Sequence, residues 1–198
     1  MDIDRKFFTR HPAQVAADLL GCLLIRSYPD GGKIVGKIVE TEAYGDENDL
    51  ASHARFGKTK RSTIMFGHPG NLYVYSIYGI FYLTNIICEE KDKAGAVLIR
   101  SVEIIRGEEL AQQNLSSSKF VKANNLIATG PGKLSLAFGI DKDFNGKSLF
   151  DNDEISIDFF APDFDIIKAK RVGIDYAGHC RELPWRFYIK NNPFVSKK

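Results

Sequence analysis

The sequence predicts an α+β fold, with a curved, mainly antiparallel β-sheet, flanking helices and a β-hairpin. Several segments rich in β-branched and aromatic residues are separated by turns that contain glycine, and these are typical of antiparallel strands. Segments of helical period are fewer and short. The 198 residues are enough for one hydrophobic core, and no change of composition marks a boundary, so residues 1–198 are expected to form a single domain.

The hairpin is predicted from residues 71–85, NLYVYSIYGIFYLTN. Gly79 interrupts this β-prone stretch where a chain reversal is easiest, which puts Tyr78 at the tip. Tyr73 and Tyr75 are two residues apart and therefore share one face of the first strand. An aromatic platform beside a projecting tyrosine suits the stacking and wedging of nucleobases, although rings of this kind, taken alone, more often belong to the core.

The overall composition excludes several classes of protein. The formal net charge is only +2, so any contact with nucleic acid must come from a local basic patch. Cys22, Cys88 and Cys180 are far apart and lack a C-x-x-C spacing, which argues against a disulfide framework and a zinc site. The N-terminus carries acidic residues and no long apolar run, and no stretch of the chain reaches the length of a membrane span, so we expect a cytoplasmic protein.

Three short helices are predicted within this sheet protein. They cover residues 11–21, a segment starting near Gly107, and residues 129–139. The glycine-rich entry to the third could bind phosphate through backbone N–H groups, assisted by Lys133, but it lacks the spacing of a nucleotide P-loop. The predicted strands are residues 22–27, 33–44, 94–103, 154–160, 166–172 and 186–190, in addition to the hairpin.

The strand at residues 33–44 carries two carboxylates. A two-residue period places Ile38, Glu40, Glu42 and Tyr44 on one face. Such carboxylates are either solvated at the rim of the sheet or held in a cleft for acid–base chemistry. The two-residue period does not indicate whether Glu40 or Glu42 would be the catalyst. Arg100 follows an apolar run, so it lies at a strand end or is committed to a buried carboxylate or phosphate.

Residues 45–70 are polar, contain glycine and proline, and are predicted to form a long surface loop. Arg55, Lys58, Lys60 and Arg61 place four cations in seven residues without an acid. This segment is the local candidate for phosphate contacts, with a solvated basic loop as the alternative. His53 lies in the same loop, where a lone histidine is commonly structural.

Taken together, motifs in almost the whole chain resemble one family. They are DLLG (18–21), IVETEAY (38–44), ASH (51–53), MF (65–66), PG (69–70), YVY (73–75), YG (78–79), Asn85, VLIR (97–100), GPGKL (130–134) and PWRFYI (184–189). In this order they resemble the alkyladenine (3-methyladenine, methylpurine) DNA glycosylase family. Each motif is weak alone, and the combination is specific.

The resemblance implies a compact domain from which the hairpin projects into the DNA minor groove. It implies that Tyr78 takes the place of a flipped nucleotide and that Tyr44 and Tyr75 are aromatic walls of a base pocket. It further implies that His53 lies against the base and that Asn85 discriminates against the exocyclic amine of normal guanine.

The same resemblance selects Glu42 rather than Glu40 as the general base and assigns Arg100 to the attacking water. It implies a monofunctional glycosylase without metal or organic cofactor, which acts on double-stranded DNA containing damaged purines. A monomer is expected, because such an enzyme must slide along DNA. This chain departs from the family pattern after Tyr44, where GDEND replaces the usual LGPED, and at Arg61, where Arg-Ser replaces Arg-Asn. These departures concern the loop conformation and the lesion preference.

Two other functions are compatible with the same residues. The Glu40 and Glu42 pair could hydrolyse other glycosides, although residues two apart on a strand do not flank a bond from opposite sides. A non-catalytic nucleic-acid-binding domain could use the same aromatic and basic residues. It predicts that Glu42→Gln leaves every activity intact.

Overall fold

An antiparallel sheet of eight strands forms the framework of the described residues, which are 3–119, 127–160 and 163–197 of the computed structural model. The strands are β1 (Leu23–Ser27), β2 (Lys33–Tyr44), β3 (Leu72–Ile77), β4 (Phe81–Ile87), β5 (Ala96–Arg106), β6 (Ile155–Asp158), β7 (Ile166–Ala169) and β8 (Arg186–Ile189). The α-helices are α1 (Arg5–Phe8), α2 (Pro12–Asp18), α3 (Glu108–Ser116) and α4 (Pro131–Ala137). The predicted α+β class is confirmed.

The long strand β2 organises the sheet. The strand order is β3-β4-β5-β2-β1-β6, and β8 pairs with both β2 and β7. One edge of β2 pairs with β5, whereas the other edge is shared, with residues 33–37 paired to β1 and residues 40–42 paired to β8. The C-terminal half of β2, which carries both glutamates, is therefore paired on both edges.

The two faces of the sheet have different roles. Alternate residues such as Val74, Ile86 and Ile99 enter the main hydrophobic core, over which α2 and α4 pack. The intervening residues face the other way, and directly paired positions form a row across four strands. In this row Tyr73 lies opposite Asn85, Asn85 opposite Leu98, and Leu98 opposite Glu42. The site residues therefore share the face that lies away from the helices.

The pairing of β2 with β5 shifts in register at three places, two of which lie beside the glutamates. Ile38 pairs with Val102 and Glu40 pairs with Ser101, so Val39 is an extra residue on β2. Thr41 then pairs with Ile99, which makes Arg100 an extra residue on β5. The prediction that Ile38 shares a face with Glu40 is wrong because the bulge at Val39 breaks the two-residue period, and Ile38 and Val39 both enter the core.

The predicted hairpin is confirmed, with Tyr78 at its tip. Tyr78 and Gly79 both have positive φ, +56° and +68°, and Ile80 N donates to Ile77 O at 3.1 Å. Positive φ at both central residues is the geometry of a type I′ turn, which suits the twist of the flanking strands. A tyrosine rarely adopts this backbone, so the side chain that is 84% exposed at the tip sits on a strained residue.

Other boundaries differ from the sequence prediction. The strand predicted over residues 166–172 ends at Ala169, and the next residues form a loop. Residues 45–70 contain two short 3₁₀ turns, His53–Phe56 and Thr63–Phe66. The Ser- and Asn-rich composition of residues 114–125 predicts a connection between elements, but α3 extends to Ser116, and residues 120–125 lie outside the described residues. In the described ranges, no helix combines the length and the apolar character needed to cross a membrane.

The strain at the hairpin tip is measurable. Tyr78→Gly should be more stable to unfolding than Tyr78→Ala by about 1 kcal/mol, because alanine keeps the Cβ that disfavours positive φ and glycine does not. Both variants remove the ring, so the comparison isolates the backbone term. Chemical denaturation of the two variants measures it, and equal stabilities would show that the turn is unstrained.

Candidate active site

A cavity of about 440 Å³ opens on the sheet face away from the helices. Eight residues that the sequence singled out line it, namely Tyr44, His53, Arg61, Tyr73, Tyr75, Tyr78, Asn85 and Arg100. They come from β2, the loop after it, the hairpin and β5. The fold therefore gathers residues that are as much as 56 positions apart in the chain.

Glu42 is completely buried behind the residues that line the cavity and is held by three hydrogen-bond donors. Its Oε2 accepts from the Tyr44 hydroxyl at 2.8 Å and from Arg100 Nη1 at 3.2 Å, and its Oε1 accepts from Val172 N at 2.7 Å. All three donors belong to residues that line the cavity. The carboxylate is thus fixed in direction and separated from bulk water.

Burial raises the pKa of the Glu42 carboxyl above its ordinary value. The positive charge of Arg100 and the hydrogen bonds from Val172 N and Tyr44 oppose this rise by stabilising the charged form, whereas the charge of Glu40 adds to it. A carboxylate with a raised pKa is a better proton acceptor than a solvated one, which is the property a general base needs.

Glu40 has a different environment, although it is also fully buried. Its Oε1 accepts from Arg100 Nε and Arg186 Nη1, both at 3.0 Å, and its Oε2 accepts from Ser196 N at 2.7 Å. Neither carboxylate lines the cavity itself, but all three donors to Glu42 belong to residues that line it, whereas of the donors to Glu40 only Arg100 does. The structure therefore separates the two carboxylates that the strand period left equivalent.

The guanidinium of Arg100 bridges the two carboxylates. Although burial lowers the pKa of Arg100, the negative charges of Glu42 and Glu40 raise it further, so the pKa lies above its ordinary value. Arg100 is therefore a permanent cation at the cavity wall.

Three aromatic side chains form one wall of the cavity. The ring centroids of Tyr73 and Tyr75 lie 5.1 Å apart, and His53 packs edge-on against Tyr75 at 4.7 Å. His53 Nδ1 is 2.8 Å from the Tyr73 hydroxyl. Burial, followed by the charges of Arg61 and Arg55, lowers the pKa of His53 to about 4. The imidazole is accordingly neutral at physiological pH.

Asn85 is fixed by the backbone of its own hairpin. Its Nδ2 donates to Tyr73 O at 3.0 Å and to Leu83 O at 3.3 Å. Because both amide hydrogens are used, Oδ1 is the atom with which this side chain can contact a ligand.

The four cations of the basic segment separate in the structure. Arg61 lines the cavity, with its guanidinium 4.9 Å from the centroid of the Tyr75 ring. Arg55 packs against the rings of Phe56 and Tyr176, and Lys58 pairs with Asp92 at 2.7 Å. Lys60 is exposed and has no acidic partner in the described part of the chain. Lys133, on α4, is half-buried and does not line the cavity, so its predicted phosphate contact stays a prediction.

The sequence interpretation missed the segment that follows β7. Val172, Gly173, Ile174 and Tyr176 line the cavity, although residues up to Val172 were predicted to be strand. Gly173 has a φ of +75° and was the available signal for a turn at this point. Within residues 3–119, 127–160 and 163–197, no three His, Cys, Asp or Glu side chains form a group that could hold a metal ion.

Comparison with known proteins agrees with this arrangement. The family model described as Methylpurine-DNA glycosylase (MPG) matches residues 6–193. The chain belongs to the methylpurine-DNA glycosylase family. A Clostridium perfringens strain 13 protein named "Putative 3-methyladenine DNA glycosylase" is 45% identical over 208 residues, covering all of both chains. A Methanocella arvoryzae protein of the same name is 42% identical over 196 residues, covering 99% of this chain and 96% of its own.

Membership of the methylpurine-DNA glycosylase family confirms the resemblance deduced from the motifs. The match spans nearly all the described secondary structure, from α1 to β8. The family therefore accounts for the whole sheet and not for a single motif. It leaves the individual side-chain roles to be argued from this cavity.

The low pKa of His53 predicts a pH dependence of stability. In the unfolded chain the imidazole titrates near its ordinary value of 6.5, whereas in the folded protein it titrates at about 4. The unfolded state therefore binds a proton that the folded state does not, and stability should fall as the pH decreases from about 6.5 to 4. His53→Gln should show a flatter stability profile over this range. Denaturation at a series of pH values measures it, and NMR should show a neutral His53 ring at pH 6.

Proposed function

We propose that this protein is a monofunctional, monomeric DNA glycosylase of base-excision repair. It flips alkylated or deaminated purines out of duplex DNA and hydrolyses the N-glycosidic bond, leaving an abasic site. The observation that carries the proposal is the Glu42 carboxylate, which is fully buried, held by three donors and placed behind an aromatic cavity. The relatives named as 3-methyladenine DNA glycosylases support the same function.

The exposed Tyr78 would wedge into the DNA stack. Extruding a nucleotide costs a few kcal/mol, and an aromatic ring that fills the gap recovers stacking worth about 1–3 kcal/mol. The tight turn at Tyr78 and Gly79 keeps the tip narrow, and the paired strands β3 and β4 hold it rigidly. A rigid wedge loses less conformational entropy on binding than a mobile loop would.

The cavity would receive the flipped base between aromatic faces. Tyr44 and Tyr75 both line it, and electron-poor alkylated purines stack well on tyrosine. Neutral His53 can accept a hydrogen bond from the base or donate one to it. Asn85 would discriminate against bases that place an exocyclic amine against its side chain, as normal guanine does. The volume of about 440 Å³ falls within the usual range of small-molecule sites.

Glu42 would act on the water that replaces the base. As the bond between C1′ and the base nitrogen breaks, its electron pair leaves with the base and the sugar becomes cation-like. The carboxylate stabilises that positive charge and takes a proton from water, whose oxygen then bonds to C1′. Arg100 would orient the water and stabilise the ionised form of Glu42, with which it already pairs.

A lysine nucleophile has no support in the cavity. None of the described residues that line it is a lysine, so a Schiff-base route that cuts the strand lacks its reactive amine. The products are therefore a free base and an intact strand with an abasic site. Strand nicking by the pure native protein would contradict this part of the proposal.

Release of free base under single-turnover conditions tests the function. The substrate is duplex DNA with hypoxanthine or 3-methyladenine. Glu42→Gln should lower the rate of nucleobase release by about 100-fold or more and leave DNA binding unchanged, because the substitution removes only the general base of the reaction. Glu103→Gln is the matched control, since Glu103 lies on β5 outside the cavity and pairs with Lys37. No release by the native protein despite tight binding would favour a non-catalytic binding domain.

Tyr78→Ala tests the wedge separately from the chemistry. Removal of the ring should lower the single-turnover rate by about tenfold or more, because the gap in the stack is no longer filled. Phe160→Ala is the control, as Phe160 is also exposed but lies beyond β6, at the opposite end of the sheet from the hairpin. A Tyr78→Ala rate equal to that of the control would exclude the wedge.

The basic segment makes a prediction about salt dependence. Lys60→Ala should weaken DNA binding and reduce the slope of log K against log salt by about 1, as expected for one lost phosphate contact. Lys58→Ala should change the slope less, because Lys58 is already paired with Asp92. Titrations of fluorescent duplex DNA at several salt concentrations measure both slopes. If the slopes of the two variants are equal, Lys60 does not contact a DNA phosphate.

A further inference from the structure

A buried ion pair lies behind the cavity and has no role in the chemistry described above. Arg171 donates from Nη1 to Asp49 Oδ2 at 2.6 Å and from Nη2 to Asp49 Oδ1 at 2.8 Å. The exposed fractions of the two side chains are 0% and 3%, and neither lines the cavity. Burying two charges is costly unless their geometry and remaining hydrogen bonds are well satisfied.

The remaining bonds of this pair connect three segments. Asp49 also accepts from Gly45 N at 3.0 Å and Ala51 N at 3.1 Å, both in the loop that follows β2. Arg171 also donates to Ala43 O at 2.9 Å and to Cys180 O at 3.2 Å. The pair therefore joins the end of β2 to its following loop and to the loop after β7.

Two parts of this network adjoin residues of the site. Ala43 stands between Glu42 and Tyr44, and the residue that follows Arg171 is Val172, whose N–H donates to Glu42 Oε1 at 2.7 Å. The guanidinium also lies 4.9 Å from the centroid of the Tyr44 ring. Movement of Arg171 would therefore be transmitted to a donor on the carboxylate and to one wall of the cavity.

We propose that Asp49 and Arg171 are positioning residues, whose bidentate pair holds the Val172 N–H on the Glu42 carboxylate and the Tyr44 ring against the cavity. The inference rests on the proposed function, since it assigns the pair to the reaction in which Glu42 is the base. A purely structural pair would stabilise the fold and leave the ionisation of Glu42 unchanged. The two roles therefore differ in their effect on the pH profile of the reaction.

The direction of that effect follows from the groups that face Glu42. Glu40 and Tyr44 on β2, Arg100 on β5 and Tyr75 on β3 face Glu42 from the sheet. Arg171 faces it from the loop after β7, and Arg186 on β8 acts on it through Glu40. The Val172 N–H is one of the donors that lower the pKa of Glu42 against its burial. Loss of this bond should raise the pKa of Glu42. The acidic midpoint of the pH–rate profile, below which Glu42 is protonated and the reaction slows, should therefore move to a higher pH.

The test is the pH dependence of single-turnover release of 7-methylguanine, a base that is already cationic and needs no protonation to leave. Arg171→Lys keeps one positive charge but cannot form the bidentate fork. Its acidic midpoint should move upward by about one pH unit, the size expected from one hydrogen bond to a carboxylate. Its plateau rate should fall by about 10- to 100-fold from the misplaced groups.

Arg26→Lys is the matched control. Arg26 is another buried arginine, stacked on Tyr28 and Phe144 far from the cavity lining. It should lose thermal stability and keep the native pH midpoint. If the native enzyme is active and the acidic midpoint of Arg171→Lys equals that of Arg26→Lys, the positioning role is overturned. A native protein that releases no base overturns the proposed function instead.

Two further measurements keep the inference testable if Arg171→Lys does not fold. Asp49→Asn preserves the volume and one acceptor, and it should shift the midpoint in the same direction. In the native protein, the amide proton of Val172 should follow the ionisation of Glu42 in an NMR titration and become insensitive to pH in Glu42→Gln. If the chemical shift of the Val172 amide does not change with pH in the native protein, the inference is contradicted, and this result requires no substitution of Asp49 or Arg171.

Discussion

The site depends on one guanidinium placed between two buried carboxylates. Glu40 and Glu42 are two residues apart on β2 and both fully buried, so their charges would repel strongly without a shared cation. Arg100 donates to both, at 3.0 Å and 3.2 Å. It reaches this position because it is the extra residue of a bulge in β5. The irregularity of the sheet is thus what permits two acidic residues in its interior.

The charge network treats the two carboxylates unequally. Glu40 is paired with two guanidiniums and a backbone N–H, whereas Glu42 has one guanidinium, one hydroxyl and one backbone N–H. Glu42 is therefore the less strongly stabilised charge, which agrees with the raised pKa of its carboxyl. Its three donors, Tyr44, Arg100 and Val172, all line the cavity. The weaker stabilisation falls on the group for which the proposed chemistry requires a proton acceptor.

Rigid and strained parts of the protein serve different needs. The helices and the core cover one face of the sheet, so the opposite face can carry polar and aromatic groups at fixed spacing. Tyr78 projects from the same face at a turn that a tyrosine seldom adopts. Strain at that point is tolerated because the flanking strands pair along their full length. The stability of the sheet thereby supports an exposed ring whose proposed role is outside the protein.

Several features of the protein follow from local sequence alone. The α+β class, the extent of β2 and the hairpin with Tyr78 at its tip are encoded in side-chain period and turn residues, which act over a few positions. The motifs also identified the family, because residue types at fixed spacing were sufficient for that. Neither source of information contains the distance between groups that are remote in the chain.

The tertiary structure decided what depends on such distances. It separated Glu42 from Glu40, since the partners of each come from β5, β8 and two loops. It also brought Val172 to Glu42 and Arg171 to Asp49, contacts that span more than 120 residues. Bulges and loop contacts arise from the packing of the whole sheet, and a two-residue period cannot register them. The residue types were therefore determined by the sequence, and their electrostatic roles by the fold.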